Sequence, residues 1–464
     1  MKFLFVHQNF PGQFLHIIRH LVAQRRHEIV FITEPNQNFI NGVRKVPYHK
    51  PARPAESTHW TIRELELGMR RAEVVAATAT SLKGLGFTPD IIIGHHGWGE
   101  LLNICDVWPD VPILGYFEFF YQTANSDVGF DPEFPVPFGD FPRIRAKNAV
   151  NLLALNLNGV GQTPTVWQHS TYPDWARQKI EILPEGVDLA TCKPNPAVRR
   201  RQFRIGDWVI RPEEKLVTYV ARDLEPYRGC HVMLRALPRL LAKRKDVRVV
   251  MVGGDGTSYG AAPAGTTWKR LFLDQLGTSL DLNRVLFPGR IPYDVYLQML
   301  QRSDAHVYLT YPFVASWSLR ESLAMGCPVI GSDTVPVREF VQDGQNGLLT
   351  SFFDPGRLAD TILRVLEDAP LAKRLGAGAV AWAERNLAMP AYLASYEALI
   401  ARTIGVPDLG QATAPPLQRP FDGKAPAPTS SGDRTPDRKA ARHASKGQGT
   451  KRAKPAARPG GRRA

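Results

Sequence analysis

Short apolar runs alternate with helical stretches through the first 400 or so residues, and the alternation begins afresh at Lys215. The first pass has apolar runs at 2–6, 28–33, 90–94 and 112–116, with helical stretches at 14–25 and 61–82. The second has runs at 215–221, 247–252, 285–287, 305–309, 328–331 and 347–349. Between and after them come helical stretches at 230–244, 268–276, 293–302, 316–325, 337–342, 357–367, 371–387 and 390–404. Short strands without polar alternation are buried on both faces, and helices between them make the sheet parallel. The expected fold class is therefore α/β, with two doubly wound parallel sheets. In such sheets ligands bind beyond the carboxyl ends of the strands, so two edges facing one another make a cleft.

Composition narrows the function classes. Hydrophobic residues make up 44% and charged residues 22%, which excludes a wholly disordered chain. No apolar run approaches the ~20 residues of a membrane-spanning helix. Four dispersed cysteines show no metal-ligand spacing and read as reduced thiols of a cytoplasmic protein. The net charge of +14 is mostly terminal: residues 411–464 hold 13 Lys/Arg and 3 Asp/Glu, against 45 and 41 in the rest. The tail, rich in Pro, Ala, Gly, Lys and Arg, is expected to be disordered. It reads as a solvated extension or as an attachment to an anionic membrane surface, and a specific nucleic-acid partner is not expected.

The second pass carries the chemistry. Arg222 and Arg228-Gly229 follow its first strand and suit a diphosphate, because arginine offers fixed charge and several donors. The plainer reading is two surface arginines, one paired with Asp223 or Glu225. A helix starting near Ser316 offers free amides to an anion, and Ser316 serves equally as an N-cap. Glu321, one turn further on, can accept hydrogen bonds from sugar hydroxyls or stand as a surface carboxylate.

The motifs in order resemble a known family. They are Gly12, Pro184-Glu185-Gly186-Val187-Asp188, Arg222 with Arg228-Gly229, Val252-Gly253-Gly254-Asp255-Gly256, Phe287-Pro288-Gly289-Arg290, Glu321 to Ile330, and Asp343-Gly344-Gln345-Asn346-Gly347-Leu348-Leu349. The chain resembles a retaining glycosyltransferase of family 4 (glycosyl transferase group 1), of the two-domain GT-B fold. Phe5 to Phe14 and Gly94-His95-His96-Gly97-Trp98-Gly99-Glu100 are similar to one bacterial subgroup. The resemblance implies an acceptor-side Rossmann-like domain over 1–195 and a nucleotide-sugar domain over 205–388. It also implies a terminal helix over 389–404 crossing back to the first domain, before the tail at 405–464.

By the same resemblance Arg222 and Arg228 bind the donor diphosphate and stabilise its departure. Gly12 lets backbone amides approach the phosphates, Ile291 meets the base, and Glu321 holds the ribose hydroxyls. The amides of Ser316, Trp317 and Ser318 add to the anion site. The family expectation is a nucleoside diphosphate sugar as donor substrate, no cofactor, no metal, and a carbohydrate or glycolipid acceptor in polysaccharide or glycolipid biosynthesis. Localisation is expected in the cytoplasm, with peripheral contact at the inner membrane surface. The sequence departs from the family at four places. Arg228 replaces a lysine, Ser316 a glycine, and Phe313 the first of two glutamates eight apart. Glu118 stands where the family often has a histidine, and is the candidate to accept the acceptor's proton or bind its hydroxyl; His95 and His96 share that rim. The alternatives are a degenerate member that binds donor without transferring it, a nucleic-acid or membrane binder acting through the tail, and a nucleotide-sugar epimerase.

Overall fold

In the computed structural model the described residues are 1–157 and 159–409. The basic tail, and the expectations attached to it, lie outside them. Two parallel sheets form two lobes. The first sheet contains β1 (Lys2–Val6), β2 (Glu28–Thr33), β3 (Val43–Pro47), β4 (Ile91–His95), β5 (Ile113–Tyr116), β6 (Gly159–Thr163) and β7 (Ile180–Ile182), in spatial order β3-β2-β1-β4-β5-β6-β7. A two-stranded hairpin follows, β8 (Phe203–Ile205) and β9 (Trp208–Ile210). The second sheet contains β10 (Lys215–Asp223), β11 (Val247–Gly254), β12 (Val285–Leu286), β13 (Ala305–Tyr308), β14 (Val329–Ser332) and β15 (Leu348–Thr350), in order β12-β11-β10-β13-β14-β15.

Strand order explains where the motifs fall. In the first sheet the chain runs outward from β1 and then returns to β4 on the other side of it. In the second, β10 and β13 stand in the same relation. These are the two switch points, where the connecting loops diverge and leave a crevice. Gly12 and the His95 loop flank the first crevice. Arg222, Arg228 and the loop before Ser316 flank the second.

The central strands are buried. Phe3, Leu4, Phe5 and Val6 of β1 are fully enclosed, as are Val249, Val250 and Met251 of β11. Each large side chain so buried contributes ~2 kcal/mol relative to exposure. β10 runs to Asp223, two residues beyond its expected end, so Arg222 sits on the strand rather than in a loop. The helix Met389–Ile404 packs against the first lobe: Tyr396 Oη accepts from Gln162 Nε2 at 3.2 Å, and Arg402 reaches Glu181.

Several local expectations are corrected. The stretch 189–212 reads as a linker, but it folds into a short helix, Pro196–Arg199, and the β8–β9 hairpin. Phe203, Ile205 and Ile210 are buried in the second lobe, and Gly206 at φ +57° makes the tight turn. The helix read at 337–342 instead spans Val335–Arg338. Three strands have no clear apolar run. β3 and β7 are half-exposed edges, and β6 carries glycine where a Cβ on Gly159 would strike the Ile113 carbonyl at 1.8 Å.

Candidate active site

Arg222 is exposed at the end of β10 and makes no hydrogen bond or ion pair among the described residues. Its acidic neighbours are engaged elsewhere. Asp223 takes the Ser258 hydroxyl and stands 3.8 Å from Arg290. The Glu225 carboxylate accepts from three successive amides, Ser258, Tyr259 and Gly260, at 3.1, 3.2 and 3.4 Å. The reading of arginines neutralised by Asp223 or Glu225 therefore fails.

Arg228 is buried, yet it too lacks a carboxylate partner among the described residues. Its Nη1 donates to Thr310 Oγ1 and the Val314 carbonyl, both at 2.9 Å, and to Tyr308 Oη at 3.3 Å. The rings of Tyr259 and Phe313 lie 5.0 and 5.8 Å from its guanidinium carbon. Gly229, at φ +68°, turns the chain into the helix Cys230–Lys243; a Cβ there would lie 2.5 Å from Leu309 Cβ. Only glycine permits this approach.

Glu321 is held by two phenols. Tyr293 Oη donates to its Oε1 and Tyr296 Oη to its Oε2, each at 2.7 Å. Burial raises its carboxyl above the ordinary value, and these two hydrogen bonds oppose that. The carboxylate is oriented, unlike that of a free surface residue. Ile291 is half-buried just before the tyrosine helix Tyr293–Arg302. Helix Trp317–Ala324 begins as expected, but the Ser316 amide is already donated to Tyr308 Oη at 2.8 Å and is removed from the anion site. Ser316 does not cap with its side chain. The Trp317 and Ser318 amides precede the first intrahelical bond, Leu319 to Ser316, and remain as candidates.

On the first lobe, three side chains gather beyond β1, β4 and β5. The Asn9 amide donates to His7 Nδ1 at 2.8 Å. The Gly97 amide does the same to His95 Nδ1 at 2.8 Å, which puts the proton on Nε2. That nitrogen faces Glu118 Oε2 at 3.4 Å. Burial pushes the Glu118 carboxyl up, but His95 first, and then His7 and Arg222, outweigh it and hold it below the ordinary value. Burial, with His95 next, pushes His7 down to about 3, so it is neutral near pH 7. Gly12, at φ +55°, packs on this ring: a Cβ would meet His7 Nδ1 at 3.0 Å. His96 is enclosed against Phe117 and is a core residue.

Phe313 does not face an open pocket. It is 6% exposed, and its ring meets Phe119 of the first lobe at 4.9 Å, with Trp167 in the same cluster. A second junction lies at Glu185, which is 8% exposed. It accepts from Tyr116 Oη at 3.2 Å and Trp317 Nε1 at 2.9 Å, and stands 3.0 Å from Arg320 Nη1.

Two families match in sequence. Residues 25–192 match the glycosyl transferase family 4 group, and residues 201–382 match the glycosyl transferases group 1. The chain belongs to the group 1 glycosyltransferases. Its fold is GT-B. Sucrose-phosphate synthase from Thermosynechococcus elongatus aligns with a TM-score of 0.65 at 17% identity, over 87% of this chain and 99% of that one. Anabaena Alr3699/HepE in complex with UDP-glucose aligns at 0.60 and 16%, over 87% and 100%. At such identities these likenesses speak for the fold alone. A D-inositol 3-phosphate glycosyltransferase of Acidothermus cellulolyticus is 29% identical over 211 residues, 45% of this chain and 44% of that protein. The chain spans about half the length of the curated relatives it matches.

The sequence motifs contain His7 and Glu185 without giving them a role, and the Tyr293–Tyr296 pair was not singled out. The tyrosines carried a signal: three apart on a helix, they share the face that meets Glu321. His7 follows β1 directly, at the switch point. No local signal marked the partners of Glu185, which lie 69 and 132 residues away.

Proposed function

We propose that this group 1 glycosyltransferase moves a sugar from a nucleoside diphosphate donor to an acceptor hydroxyl, with retention of anomeric configuration, in building a polysaccharide or glycolipid. The observation that carries this reading is the pair Arg222 and Arg228 at the β10 switch point, neither of which has a carboxylate partner among the described residues. Arg222 and the Trp317 and Ser318 amides meet the diphosphate, Arg228 supports it from beneath, and Glu321 takes the ribose hydroxyls. As the sugar–phosphate bond breaks, negative charge grows on the departing oxygens. Fixed positive groups in a water-poor cleft stabilise it with no reorganisation. Ionised Glu118, aligned by His95, receives the proton of the acceptor hydroxyl or orients it, and attack comes from the face the diphosphate leaves.

A carbohydrate or glycolipid acceptor would meet the half-exposed Glu118, with His95 and His7 buried behind it. Among the described residues no helix is long and apolar enough to cross a membrane. The arginines supply the charge a metal ion would otherwise bring, so transfer proceeds without one. The names of similar proteins agree with this reading: one is a glycosyltransferase of D-inositol 3-phosphate, another holds UDP-glucose. Incubating the protein with a panel of nucleoside diphosphate sugars and acceptors, with and without a chelator, tests the proposal. Release of nucleoside diphosphate with a new glycoside, at equal rates in both conditions, is expected. Release that stops on chelation, or no release with any donor, rejects it.

A further inference from the structure

Between β5 and the short helical turn Phe138–Asp140 the chain runs through 21 residues without helix or strand. Loops of that length in compact proteins usually have a function. This one is tied to the first lobe through Gln122 and lies on the second from Asp127 onward. Phe130 packs among Tyr311, Phe352 and Phe353, with ring centroids 5.0–5.3 Å apart. Phe134 packs on His231 and Trp268 at 5.3 and 5.1 Å.

Its polar anchors fall on the elements that hold Arg228. Asp127 accepts from Tyr227 Oη at 2.9 Å, and Tyr227 is the residue before Arg228. Asp131 is 3% exposed. Its Oδ2 lies 3.0 Å from His231 Nε2 and accepts from Tyr311 Oη at 3.0 Å. His231 is on the first turn of the helix that follows Arg228. Tyr311 lies between Thr310 and Val314, two of the three acceptors of the Arg228 guanidinium, and its amide donates to the Tyr227 carbonyl at 3.0 Å. Arg235, one turn further along the same helix, grips Glu133 through two bonds of 2.6 Å. Asp131, Glu133 and His231 also have the spacing of a metal site. Arg235 already neutralises Glu133, and Tyr311 and His231 occupy the Asp131 oxygen, so the chain's own donors fill that cluster. Burial raises the Asp131 carboxyl, yet His231 and the Glu133 amide outweigh it and keep it below the ordinary value.

We propose that Asp131 is a positioning residue for the donor site: the acceptor lobe, through this strap, braces the loop and helix that present Arg228. The inference rests on the reading of Arg222 and Arg228 as a diphosphate site and deepens it. The strap's anchors are Tyr227, His231, Tyr311 and Arg235, beside Arg228 rather than on it, so its effect is a coupling between lobes. Donor affinity then depends on whether the strap is docked, and domain opening has to release it.

The test is a charge exchange at the exposed anchor with an isosteric change at the buried one. Affinity for UDP and GDP is measured by calorimetry on the full chain. E133R and R235E each weaken binding about five-fold, and the double variant recovers it. Asp131→Asn weakens binding about ten-fold. It raises the donor KM while leaving kcat at saturating donor near the wild-type value. A merely structural role would move the thermal midpoint, with or without rescue, and leave nucleotide affinity and donor KM unchanged. Wild-type affinity in both single variants, or a double variant no better than the singles, overturns the proposal. If the wild-type chain binds neither nucleotide, the diphosphate reading fails instead, and amide hydrogen exchange still reads the brace. Faster exchange across 223–231 in Asp131→Asn upholds it; unchanged exchange there sinks it.

Discussion

His95 Nε2 faces Glu118 Oε2 at 3.4 Å, and the Gly97 amide on the other ring nitrogen fixes which nitrogen carries the proton. On the proposed reading this pair sets the acid side of the reaction. A carboxyl held below its ordinary value stays ionised as the pH falls, and it loses function only below that ordinary value. Transfer is therefore expected to hold level from pH 7 down to about 5. Glu118→Gln is expected to lower kcat by about 10²-fold from pH 7 down to about 5, the usual range for a positioned proton acceptor, with the gap closing in stronger acid. A full pH–rate profile of both proteins checks this, and an unchanged kcat in the variant removes Glu118 from the chemistry.

On the proposed reading Glu321 takes the nucleoside and not the phosphates. Its removal takes away two oriented acceptors and leaves the Tyr293 and Tyr296 hydroxyls without their partner. Glu321→Ala should weaken UDP or GDP binding by ~1.5–3 kcal/mol, the range for hydrogen bonds to a charged group. Binding of inorganic pyrophosphate should stay the same. Competition titrations with both ligands separate the two effects, and equal losses would place Glu321 in the phosphate site.

Phe313 is a packing residue that joins the lobes. Phe313→Ala should cost ~3–5 kcal/mol, the range for deleting a buried phenyl ring. Restoring the family's glutamate would bury a charge among Phe119, Trp167 and Tyr259, so Phe313→Glu is expected to be less stable than wild type. Denaturant titration measures both. A glutamate variant as stable as wild type would mean that the aromatic contact contributes little.

Four histidines make the fold acid-labile. Burial lowers His7, His96 and His306 to about 3 and His27 to about 4. Each is depressed in the fold, so between those values and 6.5 the unfolded chain binds more protons and stability falls as the pH drops. The slope is ~1.4 kcal/mol per pH unit for each of the buried His7, His96 and His306 once the pH is well below 6.5, and smaller for the half-buried His27, which solvent screens. His306 pairs with Thr218 Oγ1 at 2.9 Å in the second-lobe core, apart from the chemistry. His306→Gln should flatten the thermal midpoint between pH 6.5 and 4 without changing transfer at pH 7.5. An identical pH dependence in the variant would contradict this.

Much of the fold was legible because buried parallel strands leave apolar runs that local reading detects. β1 and β2, and the helices Trp268–Leu276 and Tyr293–Arg302, lie where the runs place them. The edges were not legible. β3 and β7 face solvent, and β6 alternates glycine with other residues because Ile113 and Phe117 press on it. The candidate site was half legible. Arg222, Arg228, Glu321 and Gly12 sit at switch points that strand order alone predicts. Their surroundings depend on distant segments: Glu225 is taken by amides 33–35 residues on, and Phe313 meets a ring from the other lobe. The strap that reaches Arg228 through Asp131 carries no periodicity, so no sequence pattern announced it.

Whether Arg222 grips a diphosphate decides the assignment. Calorimetric titration of UDP and GDP into wild type and Arg222→Ala, with chelator present, measures it directly. One of the two nucleotides should bind wild type at one site per chain, and the variant should bind it about ten- to a hundred-fold more weakly, as expected for loss of a charge-assisted contact. Equal affinity in the two proteins, or no binding by wild type of either nucleotide, would contradict the assignment.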